Sequence, residues 1–193
     1  HASRLANEVC VGTVHELGDV PDGVTAVVLT PGLDPVPAHP GATRLIRTVG
    51  NLAHLAPPTG PIADAIADAT GLAHLAPLTG PIADAAQGQS PARVMVKLAS
   101  SMRRYGATPD ELPALLAAIE RAGLQVAGFA LHLPLAGDDA ARLDEIEGWL
   151  PLIAADVELW VSHLTPASFA ALAQRHPTRA FRIRVGTALW HGA

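Results

Sequence analysis

The sequence predicts an α/β fold with a parallel sheet. Short apolar runs rich in β-branched residues recur along the chain, and Ala- and Leu-rich segments of helical period separate the later runs. This alternation is typical of parallel strands joined by crossover helices. A (β/α)8 barrel has eight such strands, so the fold class is an incomplete TIM-type barrel. The seven predicted strands cover residues 8–14, 25–31, 44–50, 93–99, 126–134, 158–164 and 181–186.

Three segments between the later strands carry helix signals. In the first, Thr108 and Glu111 have the spacing of a capping box, and Gly123 is placed to end the helix. The second covers residues 137–155. The third begins with Thr165 as N-cap and Pro166 in the first helical position.

Composition limits the class of protein. Hydrophobic residues make up 49% and charged residues 16% of the 193 residues, which indicates a folded globular domain. The net charge of −5 argues against a general nucleic-acid or anionic-membrane surface. The single cysteine, Cys10, fits a reducing compartment, and no apolar run reaches the length of a membrane span. We therefore expect a cytoplasmic protein without nucleic-acid or membrane partners.

Residues 51–90 contain a tandem repeat with a period of 20. Thirteen of the fourteen positions from Leu52 to Ala65 recur identically in the second copy. Two copies are too few to stack as a solenoid, so we interpret the repeat as a duplicated segment within one barrel domain that spans residues 1–193. His54 and His74 are equivalent positions of the repeat and are poor evidence for a metal site.

Lys97 is the only lysine in the chain, and it lies within an apolar strand. Side chains alternate faces along a strand, so Lys97, His132 and Arg184 are predicted to point into the barrel and meet at one end, with Arg104 on the following loop. Grouping several cations is costly unless an anion binds among them, and phosphate is a natural candidate. The predicted inward residues are Arg93, Met95, Lys97 and Ala99, then Val126, Gly128, Ala130 and His132, then Arg182, Arg184 and Gly186.

Four segments together resemble the barrel domain of the alanine racemase family, enzymes of fold type III that use pyridoxal 5′-phosphate (PLP). "VKLASSMRRYG" is similar to the family pattern LKxDTGMxRxG, and "GFALHLP" is similar to GxxTHF. "VSHLTPASF" stands where the family has its xNSA turn, and "RVGTALWHG" resembles RPGxxLYG. The resemblance implies a PLP-dependent racemase that removes and returns a proton at Cα of a small amino acid, and it implies a homodimer.

The resemblance also implies roles for single residues. Arg184 would face the pyridine nitrogen of PLP, His132 would lie near the ring and hydrogen-bond toward Arg184, and Arg104 would approach the phenolic oxygen and the substrate carboxylate. Lys97 matches a family lysine that is often carbamylated and then braces the arginine. The catalytic residues implied are Lys97, Arg104 and His132; the cofactor-binding residues are Arg104, His132, Thr165, Arg184, Gly186 and Thr187. Of these, Thr165, Gly186 and Thr187 would hold the phosphate.

The sequence departs from the family pattern at both catalytic bases. The family's Schiff-base lysine would precede His1, and its partner tyrosine belongs to a β domain beyond Ala193. Lys97 and the only tyrosine, Tyr105, match neither position. We therefore expect a fragment of a longer racemase or a barrel that no longer racemises.

Other interpretations of the same residues remain open. The chain could be a non-catalytic PLP- or phosphate-binding barrel, or an unrelated TIM-barrel enzyme with an anionic substrate. Lys97 could pair with a carboxylate inside the barrel, and Thr165 could serve only as a helix cap. The acidic residues between 138 and 147 indicate a solvated helix face, so we predict no metal site.

Overall fold

The computed structural model describes residues 7–32, 44–55 and 92–186. Three α-helices and seven strands form within these ranges. The strands are β1 (Glu8–Val11), β2 (Thr25–Pro31), β3 (Leu45–Val49), β4 (Arg93–Leu98), β5 (Gln125–Leu131), β6 (Leu159–Ser162) and β7 (Phe181–Arg184). The α-helices are α1 (Leu112–Arg121), α2 (Asp139–Trp149) and α3 (Pro166–Arg175).

The strands form one sheet in chain order, and every neighbouring pair is parallel. This order is the one that βα units give when each connection crosses the same face of a curling sheet. The prediction of an incomplete TIM-type barrel is confirmed, and all seven predicted strands are present. The repeat beyond Leu55 and the predicted phosphate ligand Thr187 lie outside the described residues.

Two apolar layers lie on opposite faces of the sheet. The inner layer fills the barrel and consists of Val27, Ile46, Met95, Ala130 and Trp160. The outer layer joins the sheet to the helices and includes Val94, Val96, Leu98, Phe129 and Leu131 together with Leu115, Ile119, Ile146 and Leu172 from the helices. The predicted parity is correct for residues 94–98 of β4 and for Phe181 and Ile183 of β7, which pack against the outer layer. Ala99, predicted to face inward, also packs against the outer layer, since it lies beyond the end of β4.

The parity predicted for the start of β5 is wrong at one residue. Val94 pairs with Val126 but Met95 pairs with Gly128, so β5 has one extra residue at this point. Val126 packs against the outer layer and Ala127 against the inner layer, the reverse of the alternation expected from His132 backwards. A bulge adds one residue to the strand, so the residues before it point to the opposite face from the one expected. The residues after it keep the predicted alternation.

The helices begin close to their predicted caps. Thr165 accepts a hydrogen bond from the amide of Ser168 at 3.3 Å, and Pro166 is the first residue of α3, as predicted. The first helix differs, because α1 begins at Leu112. Thr108 and Glu111 do form the reciprocal hydrogen bonds of a capping box, at 3.0 and 3.4 Å. They lie in a turn that leads directly into the helix, because the amide of Leu112 donates to the carbonyl of Thr108 at 3.0 Å. Gly123 follows the helix with a φ of +67°, as expected for a residue that ends it.

Arg182 links the two edge strands at the amino-terminal end of the barrel. Its guanidinium forms an ion pair with Glu8 of β1 and a second one, at 3.0 Å, with Glu158. It also stacks over the ring of Trp160, 4.8 Å from the ring centre. The side chains of β1 and β7 therefore meet across the barrel. No helix in the described ranges combines the length and the apolar character that crossing a membrane requires.

Candidate active site at the carboxyl ends of the strands

Four neighbouring strands bring the predicted site residues to one end of the barrel. Lys97 lies near the end of β4, where its backbone pairs with Ala130 of β5. His132 follows β5 directly, while Ser162 and Arg184 end β6 and β7 and pair with each other. The carboxyl ends of barrel strands are where active sites of this fold gather. Lys97, His132 and Arg184 therefore converge, as the strand parity predicted.

His132 is fixed by a hydrogen bond from Arg184. A nitrogen of the guanidinium lies 2.9 Å from His132 Nδ1, and the hydroxyl of Ser162 lies 3.3 Å from the same atom. Because a guanidinium can only donate, Nδ1 must accept, and the ring proton of the neutral histidine is on Nε2. Burial, together with the charges of Arg184, Lys97, His163 and Arg104, lowers the pKa of His132 to about 4. His132 is therefore neutral at physiological pH.

This protonation state leads to a testable pH dependence. His132 binds its proton at a lower pH in the folded chain than in the unfolded chain, so stability is lost as pH falls from the ordinary value of 6.5 towards about 4. We expect NMR of the histidine side-chain nitrogens to show an Nε2-protonated neutral ring down to about pH 5, because the folded pKa is about 4. In Arg184→Ala the midpoint should move upward. A midpoint near 6.5 in the unmodified chain would contradict this electrostatic account.

Lys97 is buried, and no counter-ion for it lies among the described residues. Only 8% of the residue is exposed, and no ion pair between described residues includes it. Its ammonium lies 5.1 Å from the centre of the Tyr105 ring. Burial and the charges of Arg184 and Arg104 lower the pKa of Lys97 to about 8. The alternative that Lys97 forms an ion pair with a carboxylate inside the barrel is therefore not supported, since the described residues supply no such carboxylate.

One hydrogen-bond donor of Arg184 is not used by the described residues. Its Nε atom is buried and has no hydrogen-bond partner among the described residues. Cys10 of β1 lies beside it: burial raises the pKa of the thiol, and the neighbouring guanidinium of Arg184 opposes that rise. A buried unpaired donor on a permanently charged group costs free energy, so the position favours an acceptor that the described residues do not supply.

The loop after β4 covers the site. Tyr105 donates a hydrogen bond of 2.8 Å to the carbonyl of Leu29 at the end of β2, so the loop bridges the barrel mouth. Burial raises the pKa of Tyr105, and the charges of Arg184 and Arg104 oppose that rise. Arg104 is exposed, and its charge also lowers the pKa values of Lys97 and His132. Arg104 therefore faces the site from its open side.

Gly106 allows this loop to approach β4. A Cβ atom at Gly106 would lie 2.5 Å from the carbonyl carbon of Leu98 and 2.6 Å from the amide of Ala99. We expect Gly106→Ala to lower the free energy of unfolding by roughly 2 kcal/mol or more, because backbone atoms would have to move. Gly148→Ala is the matched control, since nothing lies within 4 Å of that position in α2. The control should be neutral or stabilising by about 0.5–1 kcal/mol in urea unfolding, and equal losses in both variants would contradict the argument.

Thr165, the N-cap of α3, hydrogen-bonds to α2 and so links the two helices. Its amide and its hydroxyl donate to one carboxylate oxygen of Asp139, at 3.1 and 2.6 Å. Hydrogen bonds from Ser168 and Thr165 hold the pKa of Asp139 well below its usual range. In the described residues Thr165 makes no hydrogen bond to Lys97, His132 or Arg184, and Gly186 is exposed just after β7. Their predicted role in phosphate binding stays a prediction.

Three further residues belong to the site although the sequence did not single them out for it. Cys10, Tyr105 and His163 all lie beside predicted site residues. The ring of His163 packs edge to face against His132 with centres 5.1 Å apart, and its backbone has a φ of +60°. The parity of β1, which places Cys10 on the same face as Glu8, was a signal that could have found the cysteine.

A comparison with protein families shows which family the chain belongs to. Residues 67–193 match the family model of the alanine racemase N-terminal domain, which is more than half of the 193 residues. The chain belongs to this family, as the resemblance of its four segments predicted. No curated protein matches it in sequence.

The structure was also compared with solved structures. A lysine/ornithine decarboxylase from Vibrio vulnificus, solved in complex with cadaverine, aligns with a TM-score of 0.52 and 10% identity over 94% of this chain. An alanine racemase from Clostridium difficile 630 aligns with a TM-score of 0.48 and 14% identity over 94% of this chain. The chain spans 50% of the decarboxylase and 44% of the racemase, about half the length of each structure.

Proteins of this family use PLP, and the described site suits an anionic cofactor. PLP carries a phosphate and a phenolic oxygen, both of which accept hydrogen bonds. Within the described ranges the buried Nε of Arg184 and the cation of Lys97 have no partner, and Arg104 lies at the open side. An acceptor-rich anion would satisfy these groups, so the residues present fit the cofactor.

Proposed function

We propose that the chain is the barrel domain of a PLP-dependent amino-acid racemase of the alanine racemase type. One observation carries the proposal: Lys97, Arg104 and Arg184 meet at the carboxyl end of the barrel, and no ion pair among the described residues neutralises them. Uncompensated cations in a partly buried site favour binding of an anion. The family match to alanine racemase favours racemisation over the decarboxylation named for the Vibrio enzyme.

The ring side of the cofactor would be held by Arg184 and His132. A guanidinium keeps its protons at every working pH, so Arg184 would donate to the pyridine nitrogen and leave that nitrogen unprotonated. His132 accepts from Arg184 through Nδ1, which keeps the guanidinium oriented. Arg104 would bind the phenolic oxygen or the substrate carboxylate from the exposed side, and Lys97 would brace Arg104 when its amine carries a carbamate.

The phosphate side would be held by Thr165, Gly186 and Thr187. Thr165 caps α3, and a helix amino terminus favours negative charge. Its hydroxyl donates to Asp139, so it would have to turn from that carboxylate to reach a phosphate. The exposed backbone at Gly186 offers a second approach.

Bound PLP would supply the electron sink that makes a Cα proton removable. The chain's own contribution is electrostatic: fixed positive charge around the reacting carboxylate and a histidine held neutral. Both act without reorganisation, because the groups are positioned before the substrate binds.

The proposal extends to partners. A small amino acid is the expected substrate and a homodimer the expected assembly, in a cytoplasmic setting. These expectations follow from family membership, and the chain covers about half the length of the similar structures.

Exchange of the Cα proton tests the proposed reaction. The protein is incubated with PLP and L-alanine in heavy water, and both deuterium at Cα and formation of D-alanine are followed by NMR and chiral chromatography. We expect deuterated alanine of both configurations. L-lysine and L-ornithine, assayed in parallel for release of carbon dioxide, test the decarboxylase reaction.

The outcomes separate the alternatives. Carbon dioxide release without racemisation would replace the racemase with a decarboxylase. Saturable PLP binding with no exchange at any amino acid tested would instead support a non-catalytic PLP-binding barrel.

A further inference from the structure

We propose that the amine of Lys97 is a carbonyl-reactive nucleophile that forms an imine with anionic aldehydes bound at this site, PLP among them. The inference rests on the proposed function in one respect, since both place an anion at the barrel mouth. It goes further because it assigns covalent chemistry to Lys97. The family resemblance implies only that a carbamylated Lys97 orients the neighbouring arginine.

The environment of Lys97 favours the unprotonated amine. The residue is 8% exposed, and the described residues give it no carboxylate partner. Without a counter-ion, burial penalises the ammonium and not the neutral amine. The aromatic ring of Tyr105 at 5.1 Å is the favourable contact of the ammonium, and it is weak compared with an ion pair.

The charged groups around Lys97 act in the same direction. Arg184 approaches from β7 and Arg104 from the loop after β4. Burial is the largest cause of the lowered pKa of Lys97, about 8, and the charges of Arg184 and Arg104 add to it. His132, just after β5, is neutral at that pH and adds no negative charge. Tyr105 also stays neutral, because burial raises its pKa. A lysine beside other cations in a buried site is an established way to obtain a nucleophilic amine.

The same cations would select the aldehyde. Arg104 is exposed at the mouth of the site, and Nε of Arg184 within it has no partner in the part of the chain that the structure describes. A phosphate or carboxylate on the aldehyde would bind these groups and bring the carbonyl carbon towards Nζ of Lys97. Neutral aldehydes lack this attraction, so the site should prefer anionic ones.

The reaction balances without a further reagent. The lone pair of Nζ attacks the carbonyl carbon, and a proton passes from nitrogen to the carbonyl oxygen through solvent. The resulting hydroxyl leaves with a second proton as water, and the C=N bond forms. One amine and one aldehyde give one imine and one water, with no change in oxidation state.

The sequence makes the test unambiguous because Lys97 is the only lysine. The 193-residue chain is treated at pH 8 in bicarbonate-free buffer with PLP or with pyridoxal, which lacks the phosphate. Borohydride traps the imine, and peptide mass mapping locates it. An ordinary lysine is only about 0.4% unprotonated at pH 8, so we expect Lys97 to react at least about tenfold faster than Nα-acetyl-lysine amide. PLP should react faster than pyridoxal.

Two pairs of variants sharpen the result. Lys97→Arg keeps the positive charge and removes the nucleophile, so it should lose the adduct while binding pyridoxine 5′-phosphate, which has no aldehyde, within about threefold of the unmodified chain. Arg104→Gln should slow adduct formation at pH 7.5, because one of the charges that lower the pKa of Lys97 is removed. Arg103→Gln on the same loop is the matched control and should react like the unmodified chain.

The outcomes distinguish this inference from the proposed function. Saturable binding of pyridoxine 5′-phosphate, with Lys97 reacting no faster than the model amine or with an adduct only at the α-amine of His1, would overturn the inference alone. Failure to bind pyridoxine 5′-phosphate and PLP would overturn the inference and the proposed function together. A fast, phosphate-dependent adduct on Lys97 supports the inference.

Discussion

Replacing Arg184 with alanine is expected to weaken the binding of pyridoxine 5′-phosphate by roughly 30-fold or more. Truncating one partner of a buried, charged hydrogen-bonded pair costs about 2–5 kcal/mol. Arg184 has a hydrogen bond of 2.9 Å to His132 and a buried Nε without a partner among the described residues. Calorimetric titration measures the effect, and the absence of an aldehyde in this probe excludes imine formation.

Arg182→Ala is the matched control for Arg184. It lies two residues earlier on β7, and its ion pairs with Glu8 and Glu158 are at the other end of the barrel. We expect Arg182→Ala to lower stability and leave the affinity of the folded chain within about threefold. If both variants weaken binding equally, the cofactor does not bind through Arg184.

Replacing Arg142 with alanine is expected to lower the free energy of unfolding by roughly 3 kcal/mol. Arg142 is 7% exposed and pairs with Asp139 at 2.7 Å. It also donates to the carbonyls of Pro134, Leu135 and Gly137, at 2.9, 2.6 and 2.9 Å. The substitution would leave these acceptors unpaired in the loop that joins β5 to α2, close to His132. Urea unfolding followed by circular dichroism measures the change.

Arg175→Ala is the control for Arg142→Ala, because it removes an ion pair that is exposed and not buried. Arg175 also pairs with a carboxylate, Glu147 at 2.8 Å, but its side chain is 45% exposed. Exposed ion pairs contribute little, so we expect a loss below about 1 kcal/mol. A loss as large as that of Arg142→Ala would show that the buried carbonyl contacts are not the cause.

The fold was predictable because the strands carry the signal in their own composition. β4 and β6 are continuous apolar runs that are buried on both faces, the pattern expected of parallel strands under helices. The bulge at Ala127 was not predictable, since a run of small and apolar residues fits either alternation. The start of α1 was misplaced because the capping box of Thr108 and Glu111 forms in a turn just before the first helical residue, Leu112.

The site was predictable where it depends on strand parity and unpredictable where it depends on loops. Lys97, His132 and Arg184 follow from alternation along their strands, and the structure brings them together. The position of Tyr105 over Lys97 depends on a loop whose path is set by Gly106 against Leu98, a tertiary contact without a local pattern. The backbone of His163 has a positive φ, and the enrichment of histidine in that conformation is too weak to locate it from the sequence.

One measurement tests the central claim, that the cofactor binds among the cations at the carboxyl ends of β4 to β7. Side-chain NMR spectra of the histidines are recorded while PLP is added. We expect the signals of His132 and His163 to shift saturably, since both rings lie beside Arg184 or each other. His176, which pairs with Glu147 between α2 and α3, is the internal control and should not move. Saturable PLP binding that leaves His132 unshifted would contradict the account.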